Sequence, residues 1–188
     1  MLAVYLISAT LLIVLSYVIL RVKIRGDYLM MGRVSVIGLL LELLICFLYM
    51  NFPYIYLPLD WLELPRLPEI TLHSLLGLVP IGLGLLITLT GIATLGLKRF
   101  LGFGSQKLRA AGIYQFSRNP QIAGFFLAVI GFAVLWPSWY ALGWVILFCP
   151  LFHMMVITEE EYLRSLHPES YQRYCDTVPR YVGIPGSM

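Results

Sequence analysis

Two short segments in the last third of an otherwise apolar chain carry polar side chains that can bind a charged small molecule. Segment 117–120 reads Ser-Arg-Asn-Pro, and segment 159–161 is three consecutive glutamates. An arginine beside a helix N-terminus can hold a carboxylate, although Arg118 can also simply anchor to lipid phosphate. Glutamates can bind hydroxyl or ammonium groups. The two segments together therefore favour a membrane-embedded enzyme over a bare scaffold.

Both segments also have a purely structural interpretation. Asn119 is a typical N-cap residue, and Pro120 is favoured at the first position of a helix. Glu160 can pair with Arg164 one helical turn later. Consecutive helical residues point about 100° apart, so one or two of the three glutamates must face inward. The sequence leaves open whether Glu159 or Glu160 does so.

The C-terminal tail carries a second set of candidate residues. Tyr171 and Tyr174 are three positions apart and share one face of a helix, and Arg180 follows them. That face either packs on the rest of the protein or forms a lid over a bound cofactor.

Glu42 lies in the middle of a long apolar run. A bare charge at that depth of a membrane costs at least about 2.5–3.5 kcal/mol, so Glu42 must face the interior of a helix bundle or be protonated. His73 and His153 are possible partners for a structural pairing. Contact with a substrate is the alternative.

Composition identifies an integral membrane protein. Of 188 residues, 60% are hydrophobic and 12% charged, and the mean hydropathy is +0.84. Soluble domains carry about 25% charged residues. The net charge of +3 indicates membrane topology rather than nucleic-acid binding. The three cysteines show no spacing typical of disulfides or metal sites, and no metal is predicted.

The apolar runs predict an all-α, polytopic membrane helix bundle of about five transmembrane helices with a cytoplasmic C-terminal helix. Proline and aromatic residues, including Trp61, make 51–69 an interfacial loop, and Pro80 is expected to kink the third helix. Residues 136–139 form a tight turn. We expect one integrated domain, with the probable acceptor side in 1–97 and the cofactor-binding loop, helical hairpin and tail in 98–188. The predicted spans are roughly 1–20, 34–50, 70–97, 120–136 and 139–157.

The basic residues set the expected orientation. Every Lys and Arg except Arg66 falls within 21–33, 98–119 or the tail. With about five spans, these three regions lie on one side of the membrane, and the positive-inside rule places them in the cytoplasm. The N-terminus is then outside.

A series of short motifs between residues 98 and 182 resembles one enzyme family. The motifs are Leu101-Gly102, Gly112, Tyr114, Arg118-Asn119-Pro120, Gly124, Glu159-Glu160, Leu163, Tyr171, Tyr174 and Pro179-Arg180-Tyr181. Their order and spacing resemble the isoprenylcysteine carboxyl methyltransferase family, within a wider group that includes phospholipid methyltransferases and membrane sterol reductases. The chain departs from the family pattern at Asn119, Ile122 and His167-Pro168.

The resemblance implies S-adenosyl-L-methionine as the cofactor, in a pocket that faces the cytoplasm. The implied catalytic residues are Arg118, Glu159 and Glu160. The implied cofactor-binding residues are Tyr114, Arg118, Asn119, Pro120, Glu159, Glu160, Tyr171, Tyr174 and Arg180.

The implied reaction is methyl transfer to a lipidic or amphipathic acceptor through a carboxyl, amine or hydroxyl group; isoprenylcysteine-like molecules are one option. Such a reaction needs mainly in-line positioning and exclusion of water. Two alternatives stay open. One is a membrane reductase related to sterol reductases that uses NADPH, and the other is a non-catalytic scaffold subunit.

Overall fold

The helices form along the apolar runs, and two of them continue beyond these runs through charged residues. The computed structural model describes residues 2–53, 70–102 and 110–183, and these ranges contain helices and connecting turns but no strand. The helices are α1 (Leu2–Tyr17), a π-helical segment (Val18–Ile24), α2 (Arg25–Met31), α3 (Val36–Asn51), α4 (Leu72–Leu95), α5 (Leu97–Phe100), a 3-10 turn (Gly112–Gln115), α6 (Pro120–Leu135), α7 (Trp139–Leu166) and α8 (Pro168–Thr177).

The prediction of an all-α membrane bundle is confirmed. Helical stretches Leu2–Met31, Leu72–Leu95 and Trp139–Leu166 are long and apolar enough to cross a membrane. The apolar helices α3 and α6 have 16 residues each, about 24 Å of helix against a hydrocarbon core of about 30 Å. They coincide with the second and fourth predicted spans. Most of the predicted interfacial loop, with Trp61, lies outside the described residues.

Two helices run further than the predicted membrane spans. The first stretch continues to Met31, past the span end predicted near residue 20. Helix α7 continues past the span end predicted near residue 157 to Leu166, as the three glutamates within it led us to expect. The added part of the first stretch and the added part of α7 carry charged residues that form salt bridges with each other. Arg21 and Arg25 both pair with Glu161, so the charged ends stabilise each other as helix.

Several helix starts carry the hydrogen bonds that local sequence predicts. The Ser138 hydroxyl accepts from the backbone N–H of Ala141 at 3.0 Å, so the predicted turn before α7 ends in an N-cap. Thr71 and Ser74 form a reciprocal capping box at the start of α4. Pro80 lies inside α4.

Helices α4 and α6 pack closely through glycines. Gly84 faces Gly124, and Gly77 faces Gly131. A Cβ atom on Gly131 would lie 2.5 Å from the Gly77 carbonyl oxygen, and one on Gly124 would lie 2.6 Å from that of Gly84. Small residues that let backbones touch are a typical means of helix association in membranes.

Large aromatic side chains join α3 and α7. Tyr49 is fully buried and stacks on Trp144 with ring centroids 5.3 Å apart. The Trp144 indole N–H donates to the Tyr49 carbonyl at 2.9 Å, and the Tyr49 hydroxyl donates to the Trp144 carbonyl at 3.2 Å. Phe148 and Phe152 pack edge-on against the same tyrosine.

The described parts of the three basic regions meet at one end of the bundle. The Tyr162 hydroxyl, near the end of α7, donates to the Gly32 carbonyl at 2.6 Å. Val34 N–H donates to the Gly102 carbonyl at 3.4 Å. The same end therefore holds the polar termini of α2, α5 and α7, where the candidate residues lie.

Candidate functional site

Three consecutive glutamates near the end of α7 point to three different parts of the molecule. Glu159 lines two cavities inside the bundle. Glu160 is buried and pairs with two arginines. Glu161 turns towards the first helical stretch. The divergence follows from the angle of about 100° between successive helical residues, and it leaves Glu159 as the carboxylate that faces the cavities.

Glu160 lies between two arginines from distant parts of the chain. Arg118 Nη1 is 3.2 Å from its Oε1, and Arg180 Nη2 is 2.8 Å from its Oε2. Arg180 Nε also donates to both carboxylate oxygens at 3.1 Å. The hydrogen bonds from Arg180 to Glu160 raise the pKa of this arginine above its ordinary value. The alternative pairing of Glu160 with Arg164 is wrong, because the Arg164 guanidinium lies over the Tyr171 ring.

The C-terminal segment, residues 178–183, is fastened to the loop before α6. Arg118 N–H donates to the Pro179 carbonyl at 3.0 Å, and Asn119 Nδ2 donates to the Arg180 carbonyl at 3.1 Å. Asn119 holds the predicted N-cap position of α6, but its side chain makes no capping hydrogen bond. The asparagine therefore fastens the tail instead of closing the helix end.

The tyrosines of α8 pack on the bundle. Tyr171 and Tyr174 are buried, and the Tyr174 hydroxyl donates to the Tyr114 carbonyl at 2.7 Å. The Tyr114 hydroxyl in turn donates to Gln121 Oε1 at 2.9 Å. Burial raises the pKa of all three phenols, so their hydroxyls stay protonated at neutral pH. The predicted packing of this face is confirmed, and its use as a lid stays a prediction.

A small cavity lies where these groups converge. Its volume is about 30 Å³, close to the share of one water molecule in the liquid. It is bounded by α4–α5, the loop before α6, α7 and α8. Its lining residues are Leu95, Arg99, Tyr114, Arg118, Asn119, Gln121, Glu159, Glu160, Leu163, Tyr171 and Tyr174.

A second cavity of about 190 Å³ adjoins the first. Its walls come from the first helical stretch, α3, α4–α5, α6 and α7, and most of its lining is aliphatic or aromatic. Glu42 contributes a carboxylate to it. The residues common to both cavities are Leu95, Arg99, Asn119, Gln121 and Glu159. A polar site and an apolar site therefore share one wall.

The small cavity gathers most of the predicted cofactor-binding residues. Arg180 reaches it through Glu160, whereas Pro120 is buried at the start of α6 and does not line it. The predicted residues that line it are Tyr114, Arg118, Asn119, Glu159, Glu160, Tyr171 and Tyr174.

Two polar lining residues were missed in the sequence. Arg99 lies in α5 and Gln121 in the first turn of α6, and both face the two cavities. Their positions in the sequence could have identified them, because each is a polar residue at the end of an apolar span and Gln121 directly follows the Ser-Arg-Asn-Pro segment.

Neither histidine pairs with Glu42. His153 Nδ1 is 2.9 Å from the Tyr181 hydroxyl, and His73 is exposed at the other end of α4 from α5. Glu42 makes no hydrogen bond or salt bridge with another described residue. The structural pairing expected for it is absent from the described ranges, and its side chain lines the larger cavity.

Comparison with known families identifies the family to which the chain belongs. The family model described as phospholipid methyltransferase matches residues 72–170, more than half of the chain. The protein therefore belongs to the phospholipid methyltransferase family. This result is consistent with the resemblance that the sequence motifs show to the isoprenylcysteine carboxyl methyltransferase family and its wider group. The match runs from α4 to the first turn of α8, so Tyr171, Tyr174 and Arg180 lie beyond it.

No curated protein and no solved structure matches the chain. Family membership indicates methyltransferase activity at a membrane, and the apolar helices make the chain an integral membrane protein.

Proposed function

We propose that this protein is an S-adenosyl-L-methionine-dependent methyltransferase that acts on a lipidic or amphipathic acceptor. The observation that carries the proposal is the shared wall between a polar cavity and a larger apolar one. A methyltransferase must bring a polar cofactor and an apolar acceptor together without water between them. Adjoining cavities of opposite character, joined at Arg99, Asn119, Gln121 and Glu159, suit that requirement.

The chemistry of the small cavity fits the cofactor. Arg118 Nη1 contacts Glu160 and Cys175 Sγ, but Arg118 Nε is buried without a hydrogen-bond partner among the described residues. A buried donor without a partner is costly, and the carboxylate of the cofactor would satisfy it. Glu159 would accept hydrogen bonds from the ammonium or ribose hydroxyl groups. The bound cofactor would supply an electrophilic methyl group on a sulfonium.

In this proposal, the C-terminal segment moves when the cofactor binds. The free volume beneath it, about 30 Å³, holds roughly one water molecule. The tail is held by the Glu160–Arg180 pair and by the hydrogen bonds from Arg118 and Asn119. None of these contacts is a backbone hydrogen bond within α6 or α7, so we expect that they can break without unfolding either helix. The tail residues would then close over the cofactor and exclude water.

The acceptor would enter from the membrane between α3 and α4–α5. Helix α3 packs towards the first helical stretch and α4 packs on α6, and the larger cavity lies between the two pairs. Leu43 on α3 and Phe100 on α5 line this cavity and are also exposed at 48% and 43%. In the proposed orientation, the polar end of the bundle faces the cytoplasm, where the cofactor is available.

Calorimetry on the purified protein in neutral detergent tests the proposal. We expect S-adenosylhomocysteine and S-adenosylmethionine to bind, and NADPH to give no signal. Arg118→Lys keeps a cation beside Glu160 but removes the Nε donor, so it should weaken binding about tenfold or more. Glu161→Gln is the matched control outside both cavities. Folded protein that binds neither methionine derivative, or that binds NADPH, would show the proposal to be wrong.

A further inference from the structure

We infer that a groove between α6, α7 and the C-terminal segment binds one alkyl chain of a membrane lipid, and that the bound chain holds this segment against α7. The groove is a third site, with a volume of about 410 Å³. Its walls come from the first two turns of α6, from residues 148–153 of α7 and from Tyr181 and Val182. The inference goes beyond the proposed function, because its ligand is not the methyl acceptor.

The groove lies on the lipid-facing side of α7. The exposed residues that follow one another there at intervals of three or four positions are Leu142, Ile146, Cys149 and His153. That spacing places them on one face of the helix. Because α7 is long and apolar enough to cross a membrane, this face contacts lipid chains. Cys149 and His153 also line the groove, so the medium that fills it is hydrocarbon rather than water.

One end of the groove is polar. His153 Nδ1 and the Tyr181 hydroxyl are 2.9 Å apart there, and the other described lining residues are apolar except for the Cys149 thiol. His153 precedes Glu160 by seven residues, which is roughly 10 Å along the helix, and a headgroup layer is about 5–8 Å deep. The histidine therefore lies near the level where a lipid chain meets its ester or carboxyl group. An apolar groove with a hydrogen-bonding pair at this end matches the two parts of a lipid.

The dimensions of the groove suit a single chain. Its volume corresponds to roughly fourteen water molecules, and a methylene group occupies nearly as much space as a water molecule. The buried rings of Phe148 and Phe152 line it and stack with their centroids 4.1 Å apart. This aromatic surface offers a chain many close contacts, each weak and together substantial.

The groove is separated from the larger cavity. Ile122 on α6 and Phe152 on α7 line both, so their side chains form the partition between the two. The route proposed for the acceptor passes Leu43 and Phe100, and neither of these residues lines the groove. A chain in the groove therefore belongs to a lipid outside the reaction cavity.

The C-terminal segment forms one wall of the groove. Tyr181 is hydrogen-bonded to His153, and Val182 lines the groove although it is 85% exposed. A chain in the groove contacts Tyr181 and Val182 only while the segment lies against α7. A ligand that binds one arrangement more tightly shifts the equilibrium towards it. The bound chain would therefore hold closed the segment whose movement the proposed function requires.

Photo-cross-linking tests the site. The protein is purified in digitonin, a steroid glycoside without an alkyl chain, and the probe is palmitic acid with a diazirine in its chain. We expect adducts on segments 122–126, 148–153 and 181–182. Ala123→Phe, which fills the groove, should lower these adducts about fivefold or more. Ala93→Phe is the matched control, because Ala93 is exposed on α4 and lines none of the three sites.

Trypsin cleavage after Arg180 tests the hold on the C-terminal segment. Arg180 is paired with Glu160, so cleavage requires that the segment leave the bundle, and its rate reports the open fraction. Adding phosphatidylcholine to the protein in digitonin should slow this cleavage about fivefold or more in wild-type protein and in Ala93→Phe. It should not slow cleavage in Ala123→Phe, whose groove is already filled. Intact mass separates this product from cleavage at other sites.

A second variant and one further measurement keep the result interpretable. Cys149→Phe fills the groove from α7 and replaces Ala123→Phe if that variant is poorly folded. Adducts spread evenly over the lipid-facing residues of α1 and α4, or equal slowing of cleavage in wild-type protein and the filled variants, would overturn the inference. S-adenosylhomocysteine binding is measured on every variant. Protein that meets both expectations but does not bind this molecule would contradict the proposed function alone.

Discussion

Glu160 and Glu161 are adjacent, chemically identical and each paired with two arginines, yet their surroundings differ. The Glu160 side chain is 6% exposed, and the Glu161 side chain is 40% exposed. Glu160 joins the loop before α6 to the C-terminal segment at the candidate cofactor site. Glu161 joins α7 to the first helical stretch at the rim of the bundle.

Burial decides how much stability is lost when one partner of each ion pair is removed. Removing one partner of a buried pair leaves an uncompensated charge and costs about 3–5 kcal/mol. Exposed pairs contribute about 0.2–1 kcal/mol, because water and salt already screen the charges. Two neighbouring residues can thus look equally important in the sequence and differ severalfold in what their loss does.

Glu160→Gln should have the largest effect. It leaves Arg118 and Arg180 without a carboxylate, so we expect a loss of about 3–5 kcal/mol in unfolding free energy and loss of S-adenosylhomocysteine binding. Thermal unfolding and calorimetry in the same detergent provide the measurements. A loss no greater than that of Glu161→Gln would remove the contrast between the two glutamates.

Arg180→Ala should come next. Arg180 is 37% exposed, so the cost should be smaller, about 1.5 kcal/mol for the lost charged hydrogen bonds. The change should be local, with faster hydrogen exchange in residues 178–183 and little change in α6. Uniformly faster exchange across α6 and α7 would mean that the pair supports the whole bundle rather than the tail.

Tyr174→Phe should be milder. It removes the hydroxyl that donates to the Tyr114 carbonyl but keeps the buried ring, so we expect a loss of about 1 kcal/mol. The measurement is the thermal midpoint, with Tyr140→Phe outside both cavities for comparison. A loss of unfolding free energy as large as that of Glu160→Gln would mean that the packing of α8 stabilises the site as much as the ion pair does.

Glu161→Gln should have the smallest effect. We expect the unfolding free energy to fall by about 0.2–1 kcal/mol, and this loss should shrink as salt is added. Ligand binding should not change. A titration of thermal stability against ionic strength measures the salt dependence, and calorimetry measures ligand binding. Salt-independent destabilisation would indicate that Glu161 is more shielded from water than its exposure implies.

Much of this arrangement was predictable from local sequence. The apolar runs, the turn before α7 and the gathering of polar segments at one end follow from hydropathy, capping residues and the distribution of Lys and Arg. The shared buried face of Tyr171 and Tyr174 follows from their spacing.

The remaining features depend on contacts between distant parts of the chain. Helix geometry makes the three glutamates diverge, but which of them faces the cavities depends on how α7 packs against segments outside it, which carry Arg21 and Arg180, the partners of Glu161 and Glu160. For the same reason the first helical stretch passes its basic residues instead of ending before them. The absence of a direct partner for Glu42 among the described residues became visible only once the helices were assembled.

The glycines of α4 also set the alignment of the site. Gly77, Gly84 and Gly91 recur every seven residues, and Gly124 and Gly131 match that interval on α6. A seven-residue interval keeps one face of a helix in register along a left-handed supercoil. The glycine contacts therefore fix how far α4 is shifted along α6. With this alignment, Arg99, just past the end of α4, lines the same cavities as Asn119 and Gln121. Deleting one residue of α4 between Gly91 and Leu95 would leave the glycine contacts intact, yet it would turn α5 and Arg99 about 100° around the α4 axis, away from the wall that the two cavities share.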